Sequence, residues 1–342
     1  MSETRYVILA EGRSGDPHFG KTARGVMRYA PEKVACLLDT DRAGATEQGF
    51  DIVGSVDDAL RYEPNTALVG VATQGGRFPP AWKELLRACV ETGLDVENGL
   101  HEFLTNDAEL VALAQERGVQ LRDLRKPPPD LSVPTGANLE VPATIVLTVG
   151  SDCAIGKMTV ALELTLEARR RDAEAVFVPT GQTGIAIAGW GIAVDAVVAD
   201  FIAGAAERLV VQGHERGGNV LFVEGQGSLL NPLYSGVALG LYHGSAPHLL
   251  VLCHKPSQRF VDDDERYPIP PLSELVELHE RTALIARPAH VACIALNTRD
   301  LDEDEALAAI EAAAAETGLP AGDPVRFGAG ELVDAVLAQV TV

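Results

Sequence analysis

The run Gly150-Ser151-Asp152-Cys153-Ala154-Ile155-Gly156-Lys157-Met158-Thr159 holds the residue types and spacing that most directly imply chemistry. Its two glycines allow the backbone to curl round an anion. The amides of the curl and the start of the following helix supply positive potential, and Lys157 reaches terminal phosphate oxygens. The flanks agree: residues 143–149, Ala-Thr-Ile-Val-Leu-Thr-Val, read as a buried strand, and a helical stretch runs through Arg171. Strand, glycine-bounded loop, lysine, helix is the context a phosphate-binding P-loop requires. Two departures matter. The spacing is Gly-x5-Gly-Lys, with Ser151 where the usual motif has its first glycine, and Met158 fills the hydroxyl slot that normally ligates Mg²⁺. Thr159 follows one residue on, turned by roughly 100° on an α-helix. Without a metal bridging the phosphates, phosphoryl transfer loses a main source of charge stabilisation. The loop is therefore expected to grip a phosphate that is not cleaved. If ATP and Mg²⁺ were used, Thr159 and Glu224 would be the metal ligands.

Other candidates stand at strand ends. Residues 219–223 lead into Glu224-Gly225-Gln226-Gly227-Ser228, which puts a carboxylate beside the loop as a general base or metal-linked acid. A second such turn, Thr180-Gly181-Gln182-Thr183-Gly184, offers Gln182. Amides near Gly181 or Gly225 are candidate oxyanion donors. Asp195 and Asp200 are polar in an apolar stretch, and Asp195 reads as a site residue or a helix cap. His243, between Tyr242 and Gly244, and His254 are candidate proton carriers because imidazole titrates near neutrality. In the first half, the turns bearing Arg13, Arg42, Arg77 and His101 place cations beside small or polar residues, where arginine binds carboxylates bidentately. No Cys/His cluster with zinc spacing and no G-x-S-x-G elbow is present in the sequence, so covalent catalysis has no support.

These residues need a scaffold that brings strand ends together. Apolar residues make up 46% of the 342 and aromatics only 5%, so the cores must be aliphatic. Short Val/Ile/Leu runs alternating with helical stretches predict an α/β protein with parallel sheets. Strands are expected at residues 6–10, 33–38, 66–71, 94–98 and 119–124, with helices at 80–92 and 107–118. In such sheets ligands bind at the carboxyl ends of the strands. The prolines from Pro127 to Pro134 favour an extended linker. The expected division is a Rossmann-like domain over residues 1–125, a linker at 126–137 and a P-loop domain over 138–342.

The net charge of −21, from 28 basic and 49 acidic residues, repels nucleic acid and anionic membranes. Adaptation to a saline habitat would explain it equally well. The five scattered cysteines and the lack of a signal-like apolar core lead to an expected cytoplasmic location. A homo-oligomer is expected for a parallel-sheet enzyme of this size.

The loop at residues 150–159 resembles the variant P-loop of dethiobiotin synthetase, in which Glu224 would lie beside the nucleotide and Asn297 at the base-recognition position. More widely, Leu9-Ala10-Glu11-Gly12-Arg13, Gly99-Leu100-His101-Glu102-Phe103-Leu104, Thr180–Gly184, Gly189-Trp190-Gly191-Ile192-Ala193-Val194-Asp195 and Val223–Ser228 resemble a bacterial family. That family pairs a Rossmann-like N-terminal domain with a P-loop C-terminal domain. Its described members, of the DgcN type, transfer an acetyl group from acetyl-CoA to D-glutamate. The resemblance implies an N-acetyltransferase acting on an acidic amino acid. The P-loop would hold coenzyme A phosphates, and the arginines and His101 the substrate carboxylates. An ATP-dependent ligase or kinase is the alternative, and a nucleotide-switch protein a third reading.

Overall fold

Aliphatic runs of four to seven residues, too short for helices and flanked by turn residues, become parallel strands in the computed structural model, which describes residues 3–16 and 20–340. The chain divides into two compact units. One comprises Met1–Lys126 with Ile185–Ala196, the other Pro127–Gly184 with Val197–Val342.

The first unit runs β1 (Tyr6–Leu9), α1 (Lys21–Tyr29), β2 (Val34–Leu38), β3 (Thr46–Glu47), β4 (Phe50–Val53), α2 (Val56–Ala59), β5 (Thr66–Val69), α3 (Trp82–Glu91), β6 (Asp95–Asn98), α4 (Ala108–Arg117) and β7 (Leu121–Asp123). Its sheet has the order β3-β4-β2-β1-β5-β6-β7, parallel except for the β3–β4 hairpin. The strand order reverses beside β1, the place where open sheets bind ligands.

The sequence reading placed residues 185–196 with the P-loop half, but the first unit claims them through polar anchors. The Tyr6 hydroxyl reaches the Ala186 carbonyl at 3.5 Å, Lys33 donates to that of Ile187 at 2.6 Å and Arg122 to that of Gly189 at 3.3 Å. Arg125 pairs with Asp195. Tyr6 and Arg122 in turn share the buried Glu97, at 2.9 and 2.8 Å.

The second unit contains β8 (Thr144–Gly150), α5 (Lys157–Arg170), β9 (Ala175–Val178), α6 (Gln182–Ala188, which runs on into the segment of the first unit), α7 (Ile202–Glu215), β10 (Val220–Val223), α8 (Ser235–Ser245), β11 (Leu249–His254), α9 (Leu272–Thr282), β12 (His290–Leu296), α10 (Glu303–Thr317), β13 (Ala321–Gly322) and α11 (Gly330–Leu337). Its sheet, β13-β12-β11-β8-β10-β9, is parallel throughout. Ile145, Val146 and Leu147 on the central β8 are 0–2% exposed, and each contributes roughly 1.5–3 kcal/mol of burial. That rigid strand delivers residues 151–156 to the carboxyl edge between β10 and β11. Among the described residues, no helix is long and apolar enough to cross a membrane.

Candidate functional site

The loop between β8 and α5 is held from below and from both sides. Asp152, 2% exposed, is its anchor. One carboxylate oxygen accepts from the Cys153 amide at 2.7 Å and the Asn231 side chain at 3.1 Å. The other accepts from the Gln258 side chain and the Asp262 amide, both at 2.6 Å. Lys157 Nζ donates to the Asp152 carbonyl at 2.7 Å, and Asn297 to that of Ile155 at 2.9 Å. Ser228 donates to the Gly150 carbonyl at 3.0 Å, and Ser151 Oγ meets the His254 ring at 2.9 Å. Gly156 has φ +113°, a conformation that side chains rarely adopt, and Ala154 has φ +55°. Among the described residues, the amides of Ala154, Ile155 and Gly156 meet no protein acceptor. A left-handed turn with three open amides ahead of a helix N-terminus is an anion-binding concavity.

The structure thus gathers all of residues 150–159, with Asn297 and His254, into one place. Met158 is the second residue of α5 and Thr159 the third, both half-buried. Burial holds His254 down to about 4, so its imidazole is neutral at pH 7. Burial pushes the Cys253 thiol up to about 12, which removes it as a nucleophile.

Glu224 is beside the loop but is a clamp. One carboxylate oxygen takes the Thr180 amide at 2.9 Å and that of Gly181 at 3.1 Å, while the other takes the Gln226 side chain at 3.2 Å. Its own carbonyl accepts from the Thr180 hydroxyl at 2.6 Å. Gly181 is therefore not a free oxyanion donor, and neither is Gly225, whose amide bonds Thr148 Oγ1 at 2.9 Å. A Cβ at Gly225 would lie 1.8 Å from the Thr148 carbonyl oxygen, so only glycine fits that close crossing. The open donors lie just beyond: among the described residues, the amides of Gln226, Gly227, Ser228 and Leu229 meet no protein acceptor. Gln182, half-buried, opens α6 next to the clamped turn.

His243 is not brought to the loop. It lies in the last turn of α8, where its Nε2 meets the Thr282 carbonyl at 2.9 Å. Asn138 bonds the carbonyls of His243 and Gly244 nearby, and the next strand starts with the His248 amide on Ile145. Those contacts lie at the amino edge of the sheet, opposite the loop. A helix that precedes a parallel strand must end there.

The first unit collects its own polar edge. Asp39, fully buried at the end of β2, accepts from the Gly12 and Ser14 amides, each at 3.0 Å, and from that of Asp41 at 3.2 Å. Burial works against its charge, but these hydrogen bonds outweigh it and hold the carboxyl below its usual range. Arg42 donates to Ser14 at 3.0 Å and pairs with Glu47 at 3.1 Å. Arg13 pairs with Asp16 at 3.3 Å, and Arg77 is exposed. His101 is exposed too and stacks over Gly76, and Arg77 follows that glycine. Burial first, then the Arg125 cation, lowers its pKa. Asp195 stands in a short 3-10 turn as the partner of Arg125, which also donates to the Gly99 carbonyl at 2.8 Å.

Sequence reasoning missed Arg125, Asn231 and Gln258. None lies in a glycine turn, and only three-dimensional packing brings them to the sites. Among the described residues, no three His, Cys, Asp or Glu side chains converge to hold a metal ion. Met158 fills the hydroxyl slot, and the Glu224 carboxylate is committed to the Thr180 and Gly181 amides and the Gln226 side chain, so neither offers a magnesium ion a free oxygen.

A parallel sheet with an anion-binding loop at its switch point, joined to a second open α/β sheet, defines a P-loop protein with a Rossmann-like companion. Family models agree: a P-loop domain of unknown function, DUF1611_C, matches residues 132–333, and a Rossmann-like domain, DUF1611_N, matches residues 38–127. The chain belongs to this DUF1611 family. It is 35% identical over 339 residues to a protein of Tritonibacter scottomollicae named D-glutamate N-acetyltransferase, covering 99% of this chain and all of that one. A protein of the same name from a Pseudoalteromonas species is 35% identical over 287 residues, 84% of each chain. The crystal structure of a DUF1611 family protein from Anabaena variabilis superposes with a TM-score of 0.90 at 40% identity, covering 98% of this chain and all of that one.

Proposed function

We propose that this protein is an N-acetyltransferase that moves the acetyl group of acetyl-CoA onto the amino group of D-glutamate, with the P-loop gripping coenzyme A phosphates. The observation that carries the reading is the loop itself: three open amides and Lys157 are set to bind phosphate, while the hydroxyl that would organise a metal for its cleavage is replaced by Met158. Near full-length likeness to proteins named D-glutamate N-acetyltransferase supports the substrate and the reaction.

In the transfer, the lone pair of the neutral amine forms a C–N bond to the thioester carbonyl carbon. The C–S bond breaks, and the departing thiolate takes up a proton in place of the one the amine loses. Charge develops on the carbonyl oxygen, and the open amides of Gln226 to Leu229 suit it better than the engaged amides of Gly181 and Gly225. His254, beside Ser151, is held down to about 4 by burial, which makes it too weak a base to take the proton of an ammonium, so it serves as a neutral hydrogen-bond partner of the loop and the amine enters deprotonated.

The test is incubation with D-glutamate and either acetyl-CoA or ATP–Mg²⁺, followed by mass spectrometry. N-acetylglutamate formed without ATP is the expected result. ADP release that depends on the amino acid would overturn the reading in favour of a ligase or kinase.

A further inference from the structure

One buried side chain of α9 is not accounted for by any hydrogen bond. His279 is 3% exposed, and its Nδ1 has no partner among the described residues. Its main chain, by contrast, is used, since its carbonyl accepts from the Tyr242 hydroxyl at 2.8 Å. Burial, and then the Lys157 cation, lowers the imidazole to about 4. The ring is therefore neutral at pH 7, with one donor and one acceptor. Buried polar atoms in folded proteins are rarely left unpaired, so the orphan nitrogen needs a partner from outside the chain.

His279 lines a cavity of about 20 Å³, shared with Leu147, Leu229, Leu241 and Tyr242 and running to the turn at Gly225 behind the P-loop. A cavity needs roughly 10–15 Å³ on this measure to hold one water, so it has room for one or two such groups. The other polar side chains around it are already engaged. Thr148 Oγ1 serves the Gly225 amide, Ser228 Oγ serves the Gly150 carbonyl, and the Tyr242 hydroxyl serves His279 itself. The backbone of Gln226 to Leu229, whose amides are open, borders the same cavity, so it has a donor side, completed by His279, and an aliphatic side of Leu147, Leu229 and Leu241. A methyl group attached to a carbonyl meets both conditions: an apolar end for the leucines and one oxygen for the orphan nitrogen.

We propose that this cavity seats the two-carbon acyl group of the donor thioester, its methyl against Leu229 and Leu241 and its oxygen accepting a hydrogen bond from the His279 imidazole. The assignment rests on the acyl-transfer reading above and adds a limit on acyl length. The imidazole keeps its proton while the C–N bond forms and the C–S bond breaks, so it stabilises the oxygen without titrating.

The experiment compares acetyl-, propionyl- and butyryl-CoA as donors to D-glutamate. The wild type should use butyryl-CoA at least 100-fold less well than acetyl-CoA in kcat/KM, and Leu241→Ala should narrow that ratio below tenfold. His279→Leu should lower kcat with acetyl-CoA at least 100-fold with little change in KM, while His279→Gln, which keeps a donor, should recover at least a tenth of wild-type kcat. Leu241 is a core residue, so Ala238→Leu, at a half-buried position on the cavity wall, is the second probe. It should cut acetyl-CoA turnover at least 20-fold yet keep the thermal shift produced by free coenzyme A. A wild type indifferent to acyl length, a folded Leu241→Ala with the wild-type ratio, or Ala238→Leu with wild-type turnover each overturns the assignment. If wild type makes no N-acetylglutamate, the activity reading falls and the seat falls with it. If it does, and the ratio stays fixed, only the seat falls.

Discussion

At the end of β2 in the first unit, Asp39 takes the amides of Gly12, Ser14 and Asp41, while the Arg13 and Asp16 amides close back onto the loop's own carbonyls. At the end of β8 in the second unit, Asp152 takes the neighbouring Cys153 amide and uses the rest of its capacity on Asn231, Gln258 and Asp262. Both are buried acids that organise a strand-end loop. The first consumes the loop's donors, and the second braces the loop from outside and leaves the amides of residues 154–156 open. Glycine content alone does not make an anion site. What decides is where the nearest carboxylate spends its lone pairs.

Acid should separate the two units most strongly. Burial lowers His248, His254 and His279 in the second unit to about 4, with the Arg287 cation assisting at His248 and that of Lys157 at His279. These folded values lie below the ordinary histidine value near 6.5, so the unfolded chain binds more protons in between. The stabilisation is complete above about pH 6.5 and is lost as pH falls towards 4, each imidazole contributing up to about 1.4 kcal/mol per pH unit. His248 shows why: its Nδ1 accepts from the Ile145 amide at 3.0 Å, which only the neutral ring can do. The first unit's Asp39 has a lowered carboxyl, so its contribution persists until the pH drops below the usual aspartate range. Hydrogen exchange between pH 7 and 4.5 should therefore show the second unit loosening first. Loosening of the first unit ahead of it would break the comparison.

Removing the cation from the open loop comes next. Lys157→Ala should lower kcat/KM for acetyl-CoA at least 100-fold, about 3 kcal/mol, and abolish the thermal shift given by coenzyme A. An intact shift would mean the loop is not the phosphate grip. Asp39→Ala should destabilise the first unit by about 2–3 kcal/mol in denaturant titrations, because the buried Ser14 amide and the part-buried amides of Gly12 and Asp41 lose their acceptor. It should also leave coenzyme A affinity within threefold, and a larger loss would tie the two loops together. The smallest effect is expected from Met158→Thr. Supplying the hydroxyl should change acetyl transfer less than threefold, with EDTA harmless before and after, as steady-state assays would show. Loss of turnover in EDTA would show that a metal is used after all.

The strands and the P-loop were legible because their signals are local: aliphatic runs for the sheets, and glycine and lysine spacing for the loop. The β3–β4 hairpin escaped notice because its strands are only two and four residues long and turn at Gln48-Gly49, both at positive φ. Glu224 looked like a free acid because nothing in Val-Glu-Gly announces that two amides from residues 180 and 181 will close on it. His243 was misleading for a different reason. Its glycine neighbour suggested a site, yet α8 precedes β11, and that alternation carries its last turn to the amino edge. Asp195 and Arg125 are 70 residues apart, and no periodicity links them.

The excursion of residues 185–196 sets a timetable. N-terminal domains ordinarily fold as soon as they leave the ribosome. Here Tyr6, Lys33 and Arg122 wait for carbonyls that are synthesised more than sixty residues after the last of them. The first unit can collapse early, but it acquires its full set of bonds only after the P-loop and β9 have already been made. A gene split at the proline-rich linker would therefore yield an N-terminal product lacking a piece of its own fold, and supplying residues 185–196 as a separate peptide should restore it.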